Sequence, residues 1–127
     1  MSVAANRKTR QRDALRAVFE QSDRPLSVQE LFDRASKTID GLGMATVYRA
    51  INALVEEDWL EPVDIPGEPS RYERAGKGHH HHFQCRSCER VYDVGGCVEN
   101  VRKLVPARFR VQDHALTLYG VCATCSR

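Results

Sequence analysis

Two pairs of cysteines constrain this chain more than any other feature. Two residues separate Cys85 from Cys88 and two separate Cys122 from Cys125, with 33 residues between the pairs. A two-residue gap lets one tight turn present both sulfurs, and four thiolates satisfy a tetrahedral zinc ion. Thirty-three residues exceed the spacing of a simple zinc ribbon. The fold must therefore bring the pairs together, tying the end of the chain back to the start of its domain. The competing readings are a redox dithiol and unliganded thiols. A thioredoxin-like dithiol wants a neighbouring βαβ pattern, and none is visible. A fifth cysteine, Cys97, makes the count odd, which favours ligands or thiols over disulfides in a reducing compartment.

The 127 residues suffice for one ordinary domain, or for two small ones helped by a metal or a partner subunit. Apolar residues make up 42%, enough for a packed core and against wholesale disorder. No apolar run approaches the roughly 18 residues that span a bilayer. The opening "MSVAANRKTRQRD" has no apolar stretch after its charges, which predicts no signal peptide, no membrane partner and a cytoplasmic protein. Net charge is +2 overall, −1 over residues 1–78 and +3 over residues 79–127. Residues 7–16, "RKTRQRDALR", nevertheless hold five basic groups and one acidic. Any nucleic-acid contact must rest on such local clusters, not on a uniformly basic domain.

Apolar periodicity predicts a first helix from about Lys8 to Gln21, with Ala14, Leu15, Val18 and Phe19 on one face. Ser27 reads as an N-cap with Glu30 three residues on, a capping box that opens a second helix through Leu31, Phe32 and Ala35. A third starts near Ala45 and carries the stripe Thr46, Val47, Ile51, Leu54 and Val55 to about Asp58. "WLEPVDI", the turn "PGEPS" and "RYER" then suit a two-stranded ribbon. Three helices followed by a β-hairpin form the winged variant of the helix-turn-helix. "AGKG" is a short hinge. Beyond it, "HHFQC", "RVYDV" and "RFRVQDHALTLYGVC" read as strands, and "CVENVRKLV", with Val98, Val101, Leu104 and Val105, as one helix. The expected organisation is α+β: a winged helix over 1–74, a hinge over 75–78 and a small α/β domain over 79–127. The last is too small to be comfortable without a metal, a dimer interface or both.

Four consecutive histidines precede the first cysteine pair. Strand alternation sends His79 and His81 to one face, and His80 and His82 to the other, so one run can feed two sites. A solvated tract is the plainer reading. Glu73 upstream, Asp93 in the next strand and His114 near the last strand favour metal, because mixed histidine and carboxylate sets suit zinc, iron(II), manganese or nickel.

"GMATVYRAINALVEE", residues 43–57, has the character of a recognition helix, whose early residues meet base edges in the major groove. Thr46, Tyr48 and Arg49 are its candidates. Tyr48 can pack on a thymine methyl, and Arg49 can take a phosphate or a guanine. Arg12, in the basic run, is a fourth. The alternative is a core helix with Tyr48 buried.

Together, "ATVYRAINALVE", "HHHHFQCRSCERVYD" and "DHALTLYGVCATC", in that order from about Thr9 to Cys125, resemble the ferric uptake regulator (Fur) family of metal-sensing bacterial transcription factors. The resemblance implies an N-terminal winged-helix DNA-binding domain, a C-terminal α/β dimerisation domain and a homodimer. It also implies metal-dependent binding to a double-stranded, AT-rich inverted-repeat operator, with the metal acting as co-repressor. Carried over residue by residue, it puts structural Zn2+ on Cys85, Cys88, Cys122 and Cys125. A regulatory divalent ion (Zn2+, Fe2+ or Mn2+) falls on Glu73, His80, His82 and Asp93, and a secondary site on His79, His81, His114 and an acid on the following helix, Glu99. Two departures stand out. The family's further sensing ligand, usually a histidine just before the second helix, is here Pro25. Its frequent Thr-Pro-Gln-Arg is here "TRQR", residues 9–12.

Losing the histidine at Pro25 favours a four-coordinate ion, hence zinc, over five- or six-coordinate iron. A ligand role for Cys97 beside His79, His81 and His114 would add to the case for zinc. A peroxide-sensing relative shares the aspartate at Asp93 but relies on the missing histidine. A zinc hydrolase with Glu73 as base would need an open coordination position and a pocket, for which the chain offers no extra catalytic loop. It would also leave the winged-helix half unexplained. A zinc-stabilised module that binds protein, not DNA, is a third reading, which steep salt dependence and operator preference would separate from a regulator.

Overall fold

The computed structural model describes residues 3–126, with side chains from Arg7 onward. The chain divides between Lys77 and Gly78 into two compact units. The division falls in the "AGKG" segment, where Gly76 (φ +87°) and Gly78 (φ +75°) both take left-handed backbone that other residues rarely adopt.

The first unit holds three helices and a hairpin: α1 (Val3–Glu20), α2 (Val28–Ala35), α3 (Met44–Glu56), β1 (Leu60–Val63) and β2 (Arg71–Arg74). Its core is what the periodicity dictates. Leu15 and Phe19 on α1, Leu31 and Ala35 on α2, and Val47, Ala50, Ile51 and Leu54 on α3 recur at spacings of three and four and close on one another. The capping box forms as expected: Ser27 Oγ accepts from the Glu30 amide (3.1 Å), and the Ser27 amide donates to Glu30 Oε1 (3.2 Å). These bonds satisfy amides that the first turn of α2 would otherwise leave open. Before α2, Leu26 exchanges two backbone hydrogen bonds with Tyr72 (2.8 and 2.9 Å), an antiparallel bridge that adds a one-residue third strand and one rung beside β2. That rung fixes α2 and therefore α3 against the wing. α3 ends in a Schellman-like turn: Asp58 sits at φ 59° and the Trp59 amide reaches back to Leu54 O (2.9 Å).

The second unit is a three-stranded sheet of β3 (His81–Cys85), β4 (Val91–Val94) and β5 (Thr117–Gly120), in the order β4-β3-β5. β3 is antiparallel to β4 and parallel to β5. In this arrangement the start of β3, the end of β4 and the start of β5 share one end of the sheet, and the end of β3, the start of β4 and the end of β5 share the other. A parallel neighbour needs a long crossover. Residues 95–116 supply the last part of it.

The expected helix over "CVENVRKLV" does not form. The segment holds only one turn of 3₁₀ helix (Val101–Leu104), none of it buried. Asn100 before it is left-handed (φ 61°), Pro106 follows closely, and the apolar stripe is left half-buried (Val101, Val105) or exposed (Val98, Leu104). So short a segment cannot recover the cost of helix nucleation without packing. The strand expected from Arg108 onward is likewise confined to Thr117–Gly120, the stretch that has β3 to pair with. Val98, Leu104, Phe109, Leu118, Tyr119 and Val121 of this unit are exposed, a large apolar share for some 50 residues. Among the described residues no helix is long and apolar enough to cross a membrane.

Candidate metal centres and nucleic-acid interface

The parallel pairing of β3 and β5 explains how distant cysteine pairs meet. Cys85 closes β3 in register with Gly120, which closes β5. Each strand then turns, so Cys88 and Cys122/Cys125 emerge at the same end of the sheet. The four sulfurs lie within 4.8 Å of one another, with Cys88 and Cys122 3.9 Å apart. A Zn–S bond of about 2.3 Å gives a tetrahedral edge of about 3.8 Å, so the donor set fits zinc. All five cysteines of the chain are free thiols. Amides stabilise the thiolate form: the Cys122 and Cys88 amides donate to Cys85 Sγ (3.3 and 3.4 Å) and pull its pKa down to about 6. Cys122 is lowered by the Cys125 amide and the Tyr92 hydroxyl. Cys125 is pushed up to about 12 by sharing its proton with Cys122 and Cys85. Backbone amides thus favour the thiolate form at this cluster, and a bound cation would displace the thiol protons that remain.

The histidine run alternates as a strand must. The rings of His80 and His82 are 4.8 Å apart, and those of His79 and His81 are 4.6 Å apart. On the first face His82 stands opposite Asp93 in the β3–β4 register. Nε2 of His80 and Nε2 of His82 are each 3.4 Å from Asp93 Oδ1. Bonds of about 2.0–2.1 Å from nitrogen and oxygen to zinc give a tetrahedral edge of about 3.3–3.4 Å, so these three donors fit one ion. His80 Nδ1 lies 2.9 Å from Gly78 O, to which it donates, and that bond turns the Nε2 lone pair toward Asp93. Glu73 belongs to the other unit. It lies on β2 opposite Glu61, with Lys77 Nζ 3.3 Å from Oε2. Pro25, where the resemblance would put a histidine, is fully buried in the first unit's core and carries no donor.

The second face gathers His79, His81, His114 and Cys97 at the end of the sheet opposite the cysteine cluster. His81 starts β3, Cys97 lies three residues past the end of β4, and His114 lies three before β5. His81 is buried (1% exposed), and burial together with the His79 and His114 rings lowers its pKa, favouring the neutral, metal-binding form. The acid expected here, Glu99, is exposed in the turn before the 3₁₀ helix and is not among the four donors, because the helix that would have carried it inward is absent. Cys97, weighed in the sequence only as a further ligand, lies among these histidines. Its nearness to His81 comes from the strand order, which local spacing does not reveal.

On the first unit, Tyr48 is half exposed (50%), which excludes the core-helix alternative for that side chain. Arg49 Nη2 donates to Thr46 Oγ1 (3.2 Å), and both border a cleft of about 230 Å³ with Lys8, Gln11 and Arg12. Arg12 pairs with Glu57 (3.6 Å), as does Arg16 (3.2 Å). Lys8 extends the candidate surface beyond the four residues read from sequence, while Gln11 lines the cleft from a buried position. The basic run of α1 was the signal for them. α3 begins at Gly43 without a side-chain cap, leaving its first turn accessible to an anionic group.

A sequence profile of the Ferric uptake regulator family matches residues 4–119. The chain is 33% identical over 128 residues to the zinc uptake regulation protein of Mycobacterium tuberculosis, covering 98% of each. It is 30% identical over 125 residues to the ferric uptake regulation protein of Bacillus subtilis, covering 93% of this chain and 84% of the relative. Among solved structures, the ferric uptake regulator of Vibrio cholerae superposes with a TM-score of 0.71 at 28% identity, over 88% of each chain. With the winged-helix unit, the three-stranded sheet and the metal-donor clusters in the order that the three motifs announced, the chain belongs to the ferric uptake regulator family.

Proposed function

We propose that this metal-responsive, DNA-binding regulator reads its metal through His80, His82 and Asp93, joined by Glu73 from the winged-helix unit. The observation that supports this most is the placement of Asp93 Oδ1 at 3.4 Å from the Nε2 atoms of both histidines, with His80 oriented by Gly78 O. Three donors from one unit leave a divalent ion short of a ligand. Glu73 precedes His80 by seven residues across the glycine-containing segment and is the nearest acid upstream. When bound, the metal supplies the positive charge that these donors share. Donors drawn from both units restrict how the units can be set, and so how α3 is presented.

Regulators of this family are dimers that bind DNA. In the proposed scheme two copies of α3 reach successive half-sites of an AT-rich inverted repeat, and the metal acts as co-repressor in the cytoplasm. Thr46, Tyr48, Arg49 and Arg12 contact the duplex. Cys85, Cys88, Cys122 and Cys125 hold a permanent zinc that keeps the small sheet folded. The regulatory donors contain no thiolate and suit zinc, iron(II) or manganese. The absence of a histidine at Pro25 favours four-coordination and therefore zinc. Linkage requires that operator DNA tighten metal binding by the same factor by which metal tightens the operator, and a thousandfold factor corresponds to about 4 kcal/mol.

The test is the His80→Ala/His82→Ala double variant in an operator-duplex titration with and without added metal. The expected result is a protein that retains its chelator-resistant zinc and its dimeric state but no longer responds to metal. Metal-dependent operator binding by the double variant would overturn the assignment.

A further inference from the structure

We propose that Cys97 is the fourth ligand of a closed His3Cys zinc site, made with His79, His81 and His114, which staples the long connection between β4 and β5. The site is distinct from the sensing set proposed above and stands independently of it.

The geometry is that of a tetrahedron with every edge present. The three Nε2 atoms are 3.1 Å (His79–His81), 3.1 Å (His81–His114) and 3.2 Å (His79–His114) apart. Cys97 Sγ lies 3.1 Å from His114, 3.2 Å from His81 and 3.6 Å from His79. Bonds of about 2.0–2.1 Å to nitrogen and about 2.3 Å to sulfur give edges of about 3.3 and 3.5 Å. Hydrogen bonding does not account for the cluster. A neutral imidazole carries one N–H, so a pair of Nε2 atoms can share a proton, but three Nε2 atoms and a sulfur converging on one point cannot all be satisfied by the protons available. A cation at that point satisfies all four.

The donor types say which cation. One thiolate and three imidazoles suit zinc or cobalt(II) and disfavour manganese, which prefers oxygen ligands. Four protein donors leave no open position, the pattern of a structural site. Glu99 would have given a harder, carboxylate-bearing site. Its exposed position in a turn, and the sulfur at Cys97, change the metal preference.

The consequence lies in the chain between the ligands. Residues 95–116 join β4 to β5 with a single 3₁₀ turn, and loops of that length are uncommon unless something holds them. Cys97 lies near the start of this connection and His114 near its end. One ion bound to both, and to β3 through His79 and His81, closes the 16 residues between them into a loop. That loop carries the exposed Leu104 and Phe109, so the staple also fixes where they are displayed.

The test uses dimeric protein that keeps its cysteine-bound zinc, freed of labile metal by chelator and titrated with cobalt(II). The expected spectrum shows intense visible bands of tetrahedral cobalt and a near-ultraviolet thiolate-to-cobalt charge-transfer band, with one zinc per chain unchanged. Cys97→Ser loses the charge-transfer band. Glu99→Gln keeps it, as does the His80→Ala/His82→Ala double variant, which separates this site from the sensing set. Cobalt should also slow limited proteolysis within residues 98–113 by about tenfold in wild type and not in Cys97→Ser. No charge-transfer band in wild type, a band that survives in Cys97→Ser, or one that disappears in the double variant would overturn the proposal.

Discussion

His82 stands directly opposite Asp93 across β3 and β4, with its Nε2 3.4 Å from Asp93 Oδ1. Cross-strand neighbours in an antiparallel pair are set by register, so neither residue can shift along its strand without moving the whole histidine run to the wrong face. The geometry of the proposed sensing donors is therefore tied to the same pairing that places Cys85 at the far end of β3.

Asp93→Asn keeps the shape of the side chain and removes its charge. It should weaken binding of the labile metal by at least about tenfold while leaving the cysteine-bound zinc in place. Competition with a chelating dye, with zinc counted by elemental analysis, checks both halves of the expectation.

The surface of α3 should separate DNA binding from folding. Tyr48 is half exposed, so Tyr48→Ala should change stability by no more than about 0.5 kcal/mol. Arg49→Ala should cost about 1–3 kcal/mol of operator affinity if the guanidinium reads a base. If it meets a phosphate, the salt dependence should become shallower by about one unit. Titrations of each variant at several salt concentrations, beside thermal melts, distinguish these cases.

Glu30 supplies a pH dependence with a defined sign. Burial pushes its carboxyl up, but the Arg24 guanidinium and the Ser27 amide outweigh burial and hold it below the ordinary 4.5. A depressed carboxylate stabilises the fold above its unfolded value and loses that contribution as pH falls through the folded one. The first unit should therefore lose stability as pH drops below 4.5. Glu30→Gln should flatten that acid limb at the cost of a lower plateau near neutrality. Ser27→Ala, which removes the other half of the capping box, should cost about 1 kcal/mol. Helix unfolding followed by circular dichroism across the acid range reads both effects.

Asp58 is an aspartate in the left-handed position that ends α3 (φ 59°), where glycine is usual. Asp58→Gly should raise stability by about 1 kcal/mol by relieving that backbone. A chemical denaturation midpoint that moves down would show that its side chain does more than tolerate the turn.

The parts legible in the sequence are those that depend on local period. The stripe on α3, the capping box of Ser27 and Glu30, and the separation of His79 and His81 from His80 and His82 follow from repeats of 3.6 and 2. What was not legible depends on which strands lie side by side. Nothing local says that β5 runs parallel to β3, yet that pairing brings the second cysteine pair level with the first and sets His114 beside His81. The valines around Val101 have helical spacing, but none of the 3₁₀ turn is buried and Asn100 and Pro106 bracket it, so the helix gives way to that one turn. With it goes the reason to expect Glu99 as a ligand, and it is Cys97 that lies beside the three histidines.

In the proposed scheme a removable metal, distinct from the cysteine-bound zinc, governs operator binding. The most direct measurement is the affinity of one operator duplex for protein with only its chelator-resistant zinc, set against the same protein reloaded with zinc, iron(II) or manganese, at fixed salt. The stripped protein should bind at the level of random-sequence DNA, and reloading should tighten operator binding by two orders of magnitude or more, on the order of 3 kcal/mol. Equal operator affinity in the stripped and reloaded states would contradict the scheme.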